Sequence, residues 1–71
     1  MRRFLIVVER ASHNFSAYSP DLPGCVATGA TVEETRVRMR QAIDLHIRGL
    51  EEDRQPVPEP SATAAYVEVG S

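Results

Sequence analysis

Three side chains are best suited to nucleophilic or acid–base catalysis: Cys25, His13 and His46. A cysteine nucleophile needs a nearby base and a lowered pKa. Cys25 lies in a short apolar run, His13 in a polar turn and His46 in the middle of an expected helix, so their positions do not indicate a catalytic group. We interpret Cys25 as a buried small hydrophobe, His46 as a half-buried packing residue and His13 as solvated. The sequence therefore predicts no catalytic residue.

A metal-dependent nuclease needs two or more carboxylates that converge on divalent ions. The first apolar segment has only Glu9, at its end, and Asp21 lies in a turn. Glu33 and Glu34 are explained by their position in the first turn of a helix. We expect neither a metal nor a cofactor, and the single cysteine excludes an intrachain disulfide.

The charge balance gives no electrostatic reason to expect nucleic-acid binding. The chain has 8 basic and 10 acidic residues and a net charge of -2. The arginines at 36, 38 and 40 have acidic neighbours, which is typical of a solvated, ion-paired helix face. The apolar run Phe4–Val8 is shorter than the roughly 7–15 residues of a signal sequence, and nothing approaches the length of a membrane span. We expect a cytoplasmic protein that contacts neither membrane nor, through this domain, nucleic acid.

Apolar patterning and turn residues predict an α+β fold with the element order β-β-β-α-β, forming one domain over residues 1–71. One helix is expected to pack on a mainly antiparallel sheet. A linker with prolines at 56, 58 and 60 should separate the helix from the last strand. The predicted strands are Phe4–Val8, Phe15–Ser19, Cys25–Thr28 and Ala64–Val69.

The clearest predicted element is a helix that begins at Thr31 and ends at Glu52 or Asp53. Thr31 and Glu34 have the spacing of a capping box. Further along the chain, Glu34/Arg38 and Asp44/Arg48 are acid–base pairs at i, i+4 in the favourable order. The predicted apolar face comprises Val32, Thr35, Met39, Ala42, Ile43, His46 and Leu50.

The segment Tyr18–Gly24 has two interpretations. Its prolines fix an extended geometry and Gly24 can adopt positive φ, so it could serve only as a rigid connection. Rigid loops also lose little entropy on binding, which makes the same segment a candidate contact surface. In that interpretation the partner-binding residues are Tyr18, Pro20, Asp21, Leu22 and Pro23.

The first strand indicates that the sheet needs a partner. Phe4, Ile6 and Val8 should share one face, whereas Leu5 and Val7 should share the other. One helix can cover only one face, so the second face keeps apolar residues exposed. We expect a homo-oligomer, a dimer or tetramer, or a complex with another protein.

Several motifs resemble the HicB family of antitoxins. The residues that carry the resemblance are Tyr18–Cys25, Gly29–Glu34, Ala42–Ile43 and Val57–Ser61, and it extends over nearly the whole chain. It implies a ribonuclease-H-like core without catalytic carboxylates and binding to a small HicA-type toxin that cleaves mRNA. Many members of the family add a C-terminal DNA-binding region, which we do not expect this chain to have.

Three functional hypotheses remain at this point. The first is an antitoxin-like module that neutralises a small toxin ribonuclease as a homo-oligomer. The second is a metal-dependent nuclease, which rests only on the likeness of fold. The third is a structural homo-oligomer without a toxin partner.

Overall fold

The computed structural model describes residues 2–70 and consists of three antiparallel strands followed by one long helix. The strands lie in the order β1-β2-β3, and the helix packs on one face of the sheet. The predicted α+β class is therefore confirmed. Within the described residues no helix is long and apolar enough to cross a membrane. The elements are β1 (Val7–Arg10), β2 (Phe15–Ser19), β3 (Leu22–Gly29) and α1 (Val32–Glu52).

The first strand lies further along the chain than the predicted Phe4–Val8. β1 pairs with β2 from Val7, opposite Tyr18, to Arg10, opposite Phe15. The guanidinium of Arg10 lies 5.7 Å from the centroid of the Phe15 ring, a cation–π contact that favours pairing up to the turn. Residues 4–6 lie outside the ladder, and the Ser19 hydroxyl at the end of β2 donates a 2.9 Å hydrogen bond to the Leu5 carbonyl.

The third strand begins at Leu22, three residues before the predicted Cys25. Ser19 pairs with Leu22 and Tyr18 pairs with Val26, so Pro23 to Cys25 form an irregularity in the ladder. Gly24 has a φ of 82°, a conformation that L side chains rarely adopt. β3 is an edge strand, which is where a proline such as Pro23 costs no ladder hydrogen bond.

The predicted helix is confirmed with Thr31 as its N-cap. The Thr31 side chain accepts a hydrogen bond of 3.1 Å from the Glu34 amide, while the Glu34 carboxylate accepts one of 3.3 Å from the Ala30 amide. The Glu34 carboxylate thus bonds to the amide of Ala30, the residue before the N-cap, whereas in a standard capping box it bonds to the amide of the N-cap itself. Both predicted acid–base pairs form on the exposed side, Glu34 with Arg38 at 3.0 Å and Asp44 with Arg48 at 3.1 Å.

The core lies between α1 and the face of the sheet that carries Ala17. Leu22 and Met39 are completely buried, and Cys25 packs beside them. Thr35 is also completely buried, and its hydroxyl donates a 2.7 Å hydrogen bond to the Thr31 carbonyl. Partly buried side chains complete the cluster: Phe4, Ile6, Val8, Ala27, Ala42 and Ile43. The predicted apolar stripe of the helix holds at its centre, whereas Val32 at its start is half exposed.

The predicted last strand, Ala64–Val69, is not part of the sheet, so the expected β-β-β-α-β order is wrong in its final element. The described structure ends its regular elements with α1. Tyr66, Val67 and Val69 are almost completely exposed. Residues of strand-like composition become a strand only where a neighbouring edge completes their hydrogen bonds, and the exposure of these side chains shows that they do not pack on the sheet.

The approach of α1 to β3 predicts a strong effect of Gly29→Ala. A Cβ at Gly29 would lie 2.6 Å from Thr35 Oγ1 and 2.8 Å from the Thr35 nitrogen, so the helix would have to move. Overpacking of this kind should lower the free energy of unfolding by about 1–3 kcal/mol. Urea denaturation measures the change.

Gly49→Ala is the matched control, because nothing lies within 4 Å of a Cβ at this helical position. It should raise the free energy of unfolding by about 0.5–1 kcal/mol through helix propensity. A Gly29→Ala chain as stable as wild type would contradict the described packing.

Candidate interaction surface

The face of the sheet opposite α1 carries a row of apolar side chains across all three strands. Val7 pairs with Tyr18, and Tyr18 pairs with Val26. The exposed fraction is 43% for Tyr18 and 63% for Val26, whereas Val7 is half-buried. We call these three residues the outer row. An exposed aromatic between branched residues is typical of the centre of a protein–protein contact.

The outer row follows from the pairing register of the strands. Side chains alternate between the two faces of a strand, so the neighbours Val8, Ala17 and Ala27 face α1 and pack in or against the core. The next row on the outer face is polar and consists of Glu9, Ser16 and Thr28. An apolar centre with a polar border is the usual arrangement of an interface.

The structure places the residues of the predicted contact segment in different environments. Tyr18 belongs to the outer row, and Pro20 and Pro23 are exposed near it. Leu22 is completely buried in the core, so its side chain offers no surface to a partner in this structure. Asp21 is half-buried and is occupied by contacts within the chain. Contact of the exposed members with a partner stays a prediction.

Asp21 holds the segment that follows the proline linker. Its carboxylate accepts a hydrogen bond of 2.8 Å from the Ser61 hydroxyl and bonds of 3.2 Å from the amides of Ser61 and Ala62. The Ser61 hydroxyl, followed by the Ala62 amide, lowers the pKa of Asp21 below its ordinary value of 3.8. The turn between β2 and β3 thus fixes the chain at Ser61, 40 residues further along the sequence.

The three side chains considered for catalysis lie in three different environments. Cys25 is buried in the core, and burial raises the pKa of its thiol, which disfavours the reactive thiolate. His46 is half-buried on α1, and His13 is exposed in the turn between β1 and β2. Over residues 2–70, His, Cys, Asp and Glu side chains form no group of three or more that could hold a metal ion.

Arg36 and Arg38 of α1 are engaged with acidic partners, and Arg38 also with backbone. Arg36 forms an ion pair of 2.8 Å with Glu33. Arg38, besides pairing with Glu34, donates a 3.1 Å hydrogen bond to the Thr28 carbonyl. The interpretation of this region as an ion-paired, solvated helix face is confirmed for these two arginines.

Sequence reasoning missed a second surface, a groove between the segment before β1 and the side of α1. Its volume is about 390 Å³. We call it the edge groove, because it lies beside the start of β1, an outer strand of the sheet. The prediction that β1 begins at Phe4 hid this surface. Its signal in the sequence was Val37, an apolar residue of α1 outside the predicted apolar face, which is exposed in the structure. The groove is lined by Arg2, Phe4, Ile6, Arg36, Val37, Arg40 and Ile43.

Comparison with known proteins agrees with this architecture. A family model described as a HicB_like antitoxin of a bacterial toxin-antitoxin system matches residues 4–69. The chain belongs to the HicB-like antitoxin family. The match covers β1 to β3, α1 and the segment after the linker, so the resemblance seen in the motifs is confirmed.

Individual relatives of this HicB-like chain come from a phage and from two bacteria. It is 31% identical over 62 residues to a 14.9 kDa protein of the rep-hol intergenic region of Haemophilus phage HP1, which covers 87% of the chain and 47% of the relative. A UPF0150 protein of Helicobacter pylori strain J99 is 36% identical, with coverage of 66% and 65%. A UPF0150 protein of Synechocystis is 41% identical, with coverage of 62% and 56%. The chain thus spans about half to two thirds of the curated relatives it matches.

The contact between Asp21 and Ser61 predicts a measurable titration. Since the Ser61 hydroxyl is the largest cause of the lowered pKa, Ser61→Ala should move the pKa of Asp21 back up towards 3.8. The contact contributes its full stabilisation of the folded chain at pH values above 3.8. This contribution is lost as the pH falls through the lower pKa that Asp21 has in the folded chain. Carboxyl ¹³C NMR measures the pKa of Asp21, and urea denaturation at a series of pH values measures the stability.

Ser12→Ala is the control, because Ser12 lies in the turn at the opposite end of β2. It should leave the pKa of Asp21 at its wild-type position. An Asp21 titration that does not respond to Ser61→Ala would show that the segment after the linker is not held at this turn.

Proposed function

We propose that this HicB-like chain binds and neutralises a small HicA-type toxin that cleaves mRNA. The observation that carries the proposal is the family match over residues 4–69 together with the exposed outer row on the sheet. Neutralisation requires a surface that stays folded while it covers a partner. The sheet offers such a surface, because its opposite face is held by the core against α1.

The chemistry of the outer row suits a protein partner. Tyrosine supplies a large contact area with few rotatable bonds, and it is enriched among residues that dominate binding energy. Tyr18 lies between Val7 and Val26, so its ring has branched apolar neighbours on both sides. The exposed Pro20 and Pro23 lie in the adjoining turn and bulge, where binding costs little conformational entropy.

The charge of the chain supports a partner that itself binds RNA. A ribonuclease binds the phosphates of its substrate through basic side chains. The antitoxin has a net charge of -2, and Glu9 borders the outer row. Attraction between opposite charges would speed association with a basic toxin and favour it over acidic proteins.

The proposal gives the chain a binding role rather than an enzymatic one. Its single thiol is buried with a raised pKa, which supports a structural role for Cys25. We also propose that it acts as a homo-oligomer in the cytoplasm, where its target would attack mRNA. In this proposal the domain does not itself bind DNA, and the ion pairs of Arg36 and Arg38 support that view.

Co-expression with a small HicA-type toxin tests the proposal. Wild-type chain should relieve the growth arrest caused by the toxin and should co-purify with it. Val26→Asp should weaken binding roughly tenfold or more, since an unpaired carboxylate would be buried in the contact. Isothermal titration with a catalytically inactive toxin variant measures the affinity.

Leu45→Asp is the matched control, because Leu45 is 73% exposed on α1, away from the outer row. It should relieve growth arrest as well as wild type does. Both variants should unfold within about 0.5 kcal/mol of wild type, as expected for exposed positions. Unrelieved arrest with wild-type chain and no co-purification would contradict the proposal for that toxin.

A further inference from the structure

We propose that the outer edge of β3, from Val26 to Thr28, receives an extended segment of the toxin as a fourth strand of the sheet. We call these three residues the β3 edge, since β3 is an outer strand. This mode of binding rests on the proposed function, because the added strand belongs to the toxin. Backbone hydrogen bonds at the edge would then act together with the side-chain contacts of the outer row.

The turn between β1 and β2 determines which way the backbone groups of β2 point. The Ala11 amide donates a 2.8 Å hydrogen bond to the Asn14 carbonyl, so these two residues form a hydrogen-bonded pair. Hydrogen-bonded and non-hydrogen-bonded pairs alternate along an antiparallel ladder. In the register of β1 with β2, the pairs that contain Ser16 and Tyr18 are therefore hydrogen-bonded. The backbone groups of these two residues point to β1 and away from β3.

The backbone groups at the β3 edge consequently point outwards. Thr28 lies opposite Ser16 in the register of β2 with β3, so this pair is of the non-hydrogen-bonded type. The same holds for Val26, which lies opposite Tyr18. A side-chain contact agrees with this direction, because Arg38 donates a 3.1 Å hydrogen bond to the Thr28 carbonyl. The N–H and C=O groups of Val26 and the N–H group of Thr28 are thus directed away from the ladder.

The β3 edge is open to solvent, but it is short and blocked at both ends. Val26 is 63% exposed, and Thr28 is exposed as well. On one side, Pro23 has no N–H group and Gly24, with a φ of 82°, lies in the irregularity of the ladder. On the other side, Arg38 already occupies the Thr28 carbonyl. Blocked ends protect an edge strand from unspecific pairing, so the open stretch of about 10 Å fits one short strand in one position.

The position of the β3 edge favours the toxin as its occupant. Val26 belongs both to this edge and to the outer row, where it lies beside Tyr18. A strand added here would place a side chain next to Val26 on the outer face, so one partner would cover row and edge continuously. At the other end of the row, Val7 is half-buried. The charge of Arg38 beside the edge is compensated by Glu34 at 3.0 Å, which lowers its repulsion of a basic toxin.

Amide hydrogen exchange of the ¹⁵N-labelled chain, alone and bound to a catalytically inactive HicA-type toxin, tests the pairing. In the chain alone, the amides of Val26 and Thr28 should exchange fast because they bond to water. The Ala27 amide points into the ladder and should exchange slowly. In the complex, the amides of Val26 and Thr28 should exchange at least tenfold more slowly than in the chain alone.

The outcomes of this experiment separate the edge pairing from toxin neutralisation. A Val26 amide that still exchanges fast in a complex that forms would overturn the edge pairing and leave toxin neutralisation standing. Absence of any complex would contradict the proposed function and the edge pairing together. A Val26 amide that exchanges slowly in the chain alone, and more slowly as its concentration rises, would assign the edge to a second copy and overturn the proposal.

An amide-to-ester substitution at Val26 separates a backbone hydrogen bond from simple burial. The ester removes the N–H group and keeps the side chain, and ligation at the Gly24–Cys25 junction gives access to this chain. It should weaken toxin binding roughly three- to tenfold, which corresponds to the loss of one hydrogen bond. The free chain should unfold like wild type, because the lost N–H group bonds to water. Isothermal titration measures the affinity.

The same ester at Val8 is the matched control. Val8 lies opposite Ala17 in a non-hydrogen-bonded pair, so its N–H group also points outwards, but at the opposite edge of the sheet. This ester should leave the affinity for the toxin unchanged. Equal affinities of wild type and the Val26 ester, or a loss of affinity only with the Val8 ester, would overturn the proposal.

Discussion

The packing of α1 on the sheet depends on the contact between Gly29 and Thr35. The missing side chain of Gly29 lets the first turn of the helix reach the end of β3, where a Cβ would lie 2.6 Å from the threonine hydroxyl. Thr35 is completely buried there and bonds to the Thr31 carbonyl. This close approach directs Met39 into the core. With a single helix so placed, only one face of the sheet is covered.

The two surfaces that remain open differ in kind. The outer row is a face, where side chains of Val7, Tyr18 and Val26 contact whatever lies above the sheet. The edge groove lies between the segment before β1 and the side of α1, where Phe4, Ile6 and Val37 form its apolar lining. The face of a sheet binds a partner through shape complementarity, whereas the edge of a sheet binds an added strand through backbone hydrogen bonds. The two surfaces share no residue, since none of Val7, Tyr18 and Val26 lines the edge groove.

Local signals in the sequence predicted the elements that depend on neighbouring residues. The capping box at Thr31 and the acid–base pairs at i, i+4 predicted the helix. In the structure the helix begins and ends within one residue of the predicted bounds. The outer position of Val7 followed from alternation. Strand boundaries depend on partners far along the chain, and the predicted boundaries were less accurate. The pairing register with β2 determines the bounds of β1. β3 includes Pro23 because it is an edge strand. The contact of Asp21 with Ser61 had no local signal, since 40 residues separate them. Residues 64–69 have strand composition, but whether they pair depends on an edge that composition does not reveal.

The central claim is the proposal that this HicB-like chain binds a toxin through the outer row. Amide chemical-shift mapping of the ¹⁵N-labelled chain, titrated with a catalytically inactive variant of a HicA-type toxin that the chain neutralises in co-expression, tests this most directly. The account predicts the largest shifts at Val7, Tyr18 and Val26 and small shifts along the exposed side of α1 around Leu45. Shifts concentrated on α1, with the outer row unchanged, would contradict it.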